Sequence, residues 1–546
     1  MSCSPVQSSS TRPAERSSSV ADLVGFVGSS DGPSYIGTSS GYSIATSLGD
    51  MVQATTWSKA LWVPIETGQS SQSQANSDPG TGGRTFGGTP IRRITIAELQ
   101  NNAAEAPSDA LGTRLVEAYL VRIHPRFPIL VRSDLWSFHR RRHVLSDATT
   151  RSKEDGFAVF VLYMVYAIGA LTIRLTDGHT ETQPESFYIS ALRYVSSARE
   201  ASPIHNVEAM VLLILHHFRS ESYYGLWHMT GLAMRTVTDL GLHRHASTHS
   251  LPHFTAQLRR RLFWVVYTLE GILASTLGRP ISLADCDIDQ PLPLSVDDDV
   301  TGGPVFELIP EPGQEAYPYT SMTQSIMLFQ LRRLESRVQR TIYRVDRPVT
   351  SRFPKLERLY SDMLAWHCNI PPAVKVSELD RPLLSYHKTM RLLIQPFLTL
   401  LSPEDPYFQQ CVKSVGEICQ IHKRLHQTPE YGHSFIAVHT VFIAGITLLY
   451  CLWLGKGKVW SFSVSNNLRA CSCVLSIMGE RAPWVRRYRD IYEVLVEATM
   501  TALETDEHAG TRAQRFTGRG LSLDGIEVLD DGAWNMAQEL ASWANG

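Results

Sequence analysis

Between Cys3 and Cys286 the chain has no cysteine, and the other six lie scattered at 368, 411, 419, 451, 471 and 473. That excludes a disulfide framework for the N-terminal half, and the lone Cys471-x-Cys473 pair is a weak ligand signal. Reduced, mostly buried thiols of an intracellular protein are the expectation. Basic excess is missing as well: the net charge is −2, so any nucleic-acid contact is local or absent. No apolar h-region opens the chain, which argues against a secretory signal. Two apolar runs, 157–173 and 435–454, approach membrane length. The first is short for a span and the second carries His439, Thr440, Thr447 and Tyr450, so both are expected to be buried helices, with no membrane partner.

Catalytic patterns are also scarce. No paired acid and base stand at fixed spacing, and the paired glycines at 82–83 and 87–88 flank no strand-to-helix junction. Gly37-x-Ser39-x-Gly41 has the form of a nucleophile elbow, but loop-type residues precede it where a buried strand is needed. Nineteen histidines invite metal readings. His216 and His217 are adjacent and point apart on a helix, and His139 and His143 offer two ligands with no third. Asp285, Asp287 and Asp289 lack the glycine and distal glutamate of a calcium loop. The basic patches Arg140–Arg142 and Arg259–Arg261, and the arginines of 321–344, read as solvated helix faces. No catalytic, cofactor-binding or metal-ligating residue is therefore assigned, and the chain is not read as an enzyme.

What the sequence does hold is helical periodicity, and it predicts an all-α protein. The clearest stretch is 255–293. Leu258, Leu262, Val265, Leu269, Ile272 and Thr276 form one stripe at three- and four-residue steps. Thr255 is positioned to cap this helix, Gly278 to end it, and Pro280 bars its continuation. An exposed acidic loop, with Asp285, Asp287 and Asp289, follows and runs to Leu292-Pro293. Further helices are expected from Asp109 to Val121, before a His124-Pro-Arg-Phe-Pro turn, and over 157–175, 187–199, 206–218, 224–240 and 321–344.

Composition divides the chain into a serine-rich arm (1–30), a lead-in and Gln/Ser/Gly linker (31–95), a helical core part (96–300), an acidic, proline-bearing loop (301–320), a helical continuation (321–505) and a tail (506–546). Within the tail, 521–546 holds five acidic residues and no basic one. Its Met536, Leu540 and Trp543 fall on one helical face, with Trp534 beside them. Such a segment either folds onto a coactivator groove or packs on its own domain.

Several of these words stand in an order that resembles the middle regulatory domain of fungal zinc binuclear-cluster transcription factors. The run is Arg260-Arg261-Leu-Phe263-Trp264, then Leu-Gly278-Arg279-Pro280, then Asp285-x-Asp287-Ile-Asp289. Gly-x-Trp-x-x-x-Gly-x-Ala-x-Arg-x-x-x-x-Leu-Gly-Leu-His at 225–243 and the lead-in around Gly37–Gly41 are similar to the same domain. The resemblance covers roughly 31–500. It implies transcription regulation of a metabolic or secondary-metabolite pathway and a nuclear location. The partners it implies are the transcription machinery or coactivators, a second copy or a relative in a dimer, and a small-molecule effector. The family reads DNA through six cysteines that share two zinc ions, and this sequence has no such cluster, so zinc and DNA would enter only through a missing module or a partner. A DNA-free co-regulator is the alternative.

Overall fold

Helices supply the regular structure: seventeen α-helices and several 3-10 turns, with no strand among the described residues. This computed structural model describes residues 38–41, 44–45, 48, 103–147, 152–177, 183–218, 225–300, 319–427, 434–455 and 458–516. The serine-rich arm, the stretch 301–318 and the tail with Trp534, Met536, Leu540 and Trp543 lie outside the described residues.

Two apolar cores organise the helices. The first is built by α1 (Asp109–Arg122), α2 (Arg132–Arg140), α3 (Arg142–Asp147), α4 (Lys153–Asp177), α5 (Pro184–Leu192), α6 (Val195–Ala201), α7 (Pro203–His217) and α8 (Leu226–Asp239). Past the short α9 (Ala246–His249), α10 (His253–Leu277) closes this core with Leu262, Phe263, Trp264, Val265, Val266 and Leu269. The second core is built by α11 (Thr323–Ile342), α12 (Phe353–Cys368), α13 (Val376–Ile394), α14 (Pro406–His426), α15 (Phe435–Leu454), α16 (Phe462–Arg481) and α17 (Arg486–Phe516). α10 and α11 pack on each other, and Phe329 of α11 belongs to the first core, so this pair spans the seam between the two.

α4 and α15 are long and apolar enough to cross a membrane by length and composition, and each is buried inside its core. They lack a polar stripe because neighbours cover them all round: α4 lies against α1, α5, α6 and α7, and α15 against α14, α16 and α17. Serines at 108, 202, 434 and 461 and Asp405 cap helix starts by accepting a backbone N–H two or three residues on.

Two local expectations shift. α1 is capped by Ser108 rather than Asp109, whose carboxylate instead pairs with Arg142 at 3.0 Å. α10 begins at His253, two residues before Thr255, because Pro252 sets the entry with φ −51° and has no N–H to satisfy. The far end is as expected: Gly278 closes α10 at φ +67°, in the left-handed region that glycine enters without penalty. Of the seven described cysteines, all are free; four are buried, at 411, 419, 451 and 471, and three are exposed.

Candidate functional site

α10 carries the motif residues, and their side chains diverge. Arg260 is half-buried, whereas Arg261 is fully buried in the first core. Phe263 and Trp264 are also fully buried, with ring centres 5.2 Å apart. Trp264 Nε1 donates to the Pro291 carbonyl at 2.9 Å, which ties the returning loop to the helix. Beyond Gly278, Arg279 lies over the Trp227 ring of α8 at 4.9 Å, and Pro280 is exposed.

The acidic loop is less exposed than its composition implies. Asp285 accepts from Tyr267 at 2.6 Å and from Ser336 of α11 at 3.2 Å, so it is half-buried and spans both sides of the seam. Asp289 is exposed and chelates Arg244 at 3.0 and 2.9 Å while accepting the His245 backbone N–H at 2.7 Å. Those bonds hold its carboxyl down at about 2. Asp287 faces solvent. The first and third aspartates are thus structural fasteners at opposite ends of a loop.

An aspartate outside the motif run is the larger electrostatic centre. Asp298 is buried; its Oδ2 lies 2.5 Å from His124 Nε2 and 2.6 Å from Arg132 Nε, and its Oδ1 accepts from Ser321 at 2.6 Å. Arg261 donates to its backbone carbonyl at 3.2 Å. Burial opposes the charge on Asp298, but the bonds from His124, Ser321 and Arg132 outweigh it and hold the carboxyl well below its usual range. Burial pushes His124 the other way, toward the neutral ring, and Asp298 only partly offsets this. The arrangement is an ionised aspartate accepting from a neutral histidine. Desolvation also lowers Arg261, to about 10.

The basic patches are therefore not solvated faces throughout. Arg261 is buried on the Asp298 backbone, Arg142 donates to the carbonyls of Pro107 and His139, and Arg332 is buried against Glu335 at 2.6 Å. For Arg261 and Arg142, charge spacing along a helix does not reveal a partner supplied from another element; for Arg332 the partner is three residues on in its own helix.

Beneath the seam lies a polar layer. α10, α11, α13 and α15 contribute Ser275, Glu335, Lys388, Arg391 and His439 around a space of about 20 Å³, room for about one water. The lead-in covers this region: a 3-10 turn at Thr38–Ser40 packs on α10, and the Ser40 backbone hydrogen-bonds His439. Ile44, Ala45 and Leu48 then enter the second core. Ser39 sits buried in that turn, away from any strand-to-helix elbow. Gly41 has φ +85°, and a Cβ there would stand 2.4 Å from Ile443 Cγ2. Gly41→Ala is therefore expected to cost about 1–3 kcal/mol, from left-handed strain and the clash together. Urea unfolding checks this; an unchanged midpoint would mean that the lead-in does not dock in solution.

On the other side of Lys388 and Thr440 opens a larger cavity of about 160 Å³, between the C-terminal end of α1, α10, α11, α13 and α15. Sequence reasoning did not find it, because its residues come from helices far apart along the chain. Among the described residues no group of three or more His, Cys, Asp or Glu could hold a metal. The six clustered cysteines of a binuclear zinc site have no counterpart in this sequence, so the residues present do not fit that group.

Comparison with known proteins matches residues 116–368 to the fungal specific transcription factor domain, a span from within α1 to the end of α12. The chain is 26% identical over 441 residues to an uncharacterized transcriptional regulatory protein of Saccharomyces cerevisiae, covering 72% of this chain and 32% of that protein. It is 24% identical over 593 residues to the positive regulator of purine utilization of Emericella nidulans, covering 88% and 54%. Against pyrimidine pathway regulatory protein 1 of Saccharomyces cerevisiae the identity is 24% over 317 residues, covering 55% and 34%. The chain thus spans roughly a third to a half of the length of these relatives.

Proposed function

We propose that this chain, which carries a fungal specific transcription factor domain, acts as the regulatory region of a fungal transcription regulator of metabolic genes. The observation that carries the reading is the domain match over 116–368, which contains α10, its loop and the Asp298 centre. Relatives named for purine utilization and the pyrimidine pathway support a metabolic target class. Its partners are the transcription machinery or coactivators, and its location is the nucleus. We assign no chemistry to it. Arg261, Phe263, Trp264, Gly278, Arg279 and Asp285 build and brace α10 and its seam, Asp289 fastens the loop to Arg244, Arg260 lies half-buried on the helix, Pro280 and Asp287 stay exposed, and Trp534, Met536, Leu540 and Trp543 form an activation segment. DNA reaches the chain through another module or a partner, since the family's cysteine cluster has no residues here to form it.

Mechanistically, the seam is the two-state element. Two cores that meet along a seam can change their mutual fit without either one unfolding, and a ligand or partner that favours one fit shifts the balance. The test is a fusion to a foreign DNA-binding module in a fungal host. Reporter output several-fold above or below that of the module alone is expected, with removal of 521–546 lowering any activation. An inert fusion together with exclusion from the nucleus would sink the reading. Nuclear entry that depends on a co-purifying relative would favour the DNA-free co-regulator.

A further inference from the structure

The turn between α15 and α16 presents two aromatic rings to solvent. Trp460 is 48% exposed and Phe462 83%, more than any other Phe, Tyr or Trp among the described residues. Neither one holds the turn together. Val459 packs inward beside Gly455, and Ser461 caps α16 by accepting the Val464 N–H at 3.2 Å. The buried stripe of α16 starts only at Val464 and continues through Leu468, Cys471 and Leu475. Single exposed apolar residues are ordinary, but two large rings two residues apart make a patch. The chain around them is basic: 455–469 holds Lys456, Lys458 and Arg469 and no acidic residue. Lys458 meets Glu404 at 3.3 Å, but both side chains are well exposed, and such a pair is weak and readily exchanged.

α17 brings the chain's own C-terminal segment to this end of the second core. It runs parallel to α15, with Trp484 near Phe435, Tyr488 against Phe442 and Tyr492 beside Gly445. α16 runs the other way, and its Leu468 carbonyl accepts from Tyr492 at 3.4 Å. Counting from that bond, α17 draws level with Phe462 near residue 498 and ends at Phe516, roughly 27 Å farther on at 1.5 Å per residue. Residues 517–533, four of them glycine, then lead to Trp534. A flexible chain of that length spans about 21–25 Å, which matches the distance back to the turn. The segment reached, 530–543, lies outside the described residues. It carries Asp530, Asp531 and Glu539, no basic residue, and the apolar face of Met536, Leu540 and Trp543.

We infer that the Trp460–Phe462 turn is the docking surface for this chain's own segment 530–543. The apolar face of the segment covers the two rings, and its three carboxylates meet the basic residues that flank them in sequence. A second copy offering the same turn would set cation against cation, so the surface is not built for a symmetric pair. With an effective concentration of about 1 mM for a linker that matches the span, a contact with a Kd of roughly 0.1 mM is about nine-tenths formed within one chain. Between separate chains at micromolar concentration the same contact is almost absent.

Docking is a property of the purified full chain and is read without a reporter, so it and the activation role given to the same segment can fail separately. The first test places a photocrosslinker at the turn, as Phe462→p-benzoylphenylalanine, followed by irradiation and peptide mapping. Because Phe462 is so exposed, the replacement should leave the unfolding midpoint unchanged. Crosslinks to 530–543 are expected, within one chain when isotopically light and heavy chains are mixed. Lys456→Glu with Lys458→Glu should cut their yield about fivefold, and Asp530→Lys with Asp531→Lys in the same chain should restore part of it. The second test is hydrogen exchange. Amides of 530–543 should exchange about tenfold more slowly in the wild type than in Trp460→Ser with Phe462→Ser. Crosslinks confined to other segments overturn the inference, as do crosslinks formed only between light and heavy chains. Exchange of 530–543 that is unchanged by the two serines overturns it as well.

Discussion

Asp298→Ala is expected to lower the unfolding free energy by about 3–5 kcal/mol, the usual loss when one member of a buried charged group is deleted. The residue gathers His124, Arg132 and Ser321 on its carboxylate, and alanine deprives all three of that acceptor; buried His124 loses most, while Arg132, 34% exposed, can turn to water. Arg261→Met should cost much less. It removes a desolvated guanidinium whose Nε and Nη2 have no partner among the described residues, and Asp298 keeps its other bonds. Urea unfolding of both variants decides the matter; equal losses would contradict the placement of Asp298 at the centre. The pH dependence follows in sign. The folded aspartate titrates below its unfolded value of about 4, so its contribution is complete above that pH and is lost as pH falls through the acid range. His124 is held neutral, so acid below about 6.5 also favours the unfolded chain, which can protonate that ring. The stability gap between wild type and Asp298→Ala should be full at pH 7 and close in strong acid.

Trp264→Ala should cost a similar amount, about 3–5 kcal/mol, through a different route. Its ring is fully buried, 5.4 Å from Tyr267 and 6.3 Å from Phe329 of α11. Alanine leaves a cavity at the seam and takes the indole donor from the Pro291 carbonyl, so the loop 281–296 should loosen as well. Hydrogen exchange or limited proteolysis of that loop would rise with the variant. Trp264→Phe keeps most of the apolar volume and should recover more than half of the loss. Protection of the loop unchanged in Trp264→Ala would show that its other bonds, to Glu270, Gln257 and the 242–244 turn and through Asp285 and Asp289, hold it without the indole.

These residues also mark how far the sequence could be read. The buried stripe of α10 and its stop at Gly278 follow from spacing and from one residue's backbone freedom, both local properties, and both are legible. The all-helical class was legible for the same reason. The partners of two buried arginines were not. Arg261 and Arg142 look like members of solvated runs until the fold places the Asp298 and Pro107 carbonyls against them, whereas Glu335, three residues on from Arg332 in its own helix, is a pairing that the sequence spacing already offers. Asp298 itself was passed over in favour of the aspartates of the motif run, since nothing near it in sequence announces that His124, 174 residues away, will bond it. The cavity was the least legible feature. Its five basic residues are spread from 122 to 388, and only the packing of α1, α11 and α13 brings them to one wall.

The docked lead-in sets an order on synthesis. Gly41 lies against Ile443, about 400 residues later in the chain. At a translation rate of roughly 5–20 residues per second, the two are made roughly 20–80 s apart. Through that interval Ile44, Ala45 and Leu48 have no second core to enter. The first core, closed by α10, can form on the ribosome well before the chain ends, while the lead-in must wait for α15. A transcript cut short before α15 would therefore yield a folded first core with an uncovered apolar strand of chain in front of it, a natural substrate for chaperones and proteases rather than a smaller working regulator.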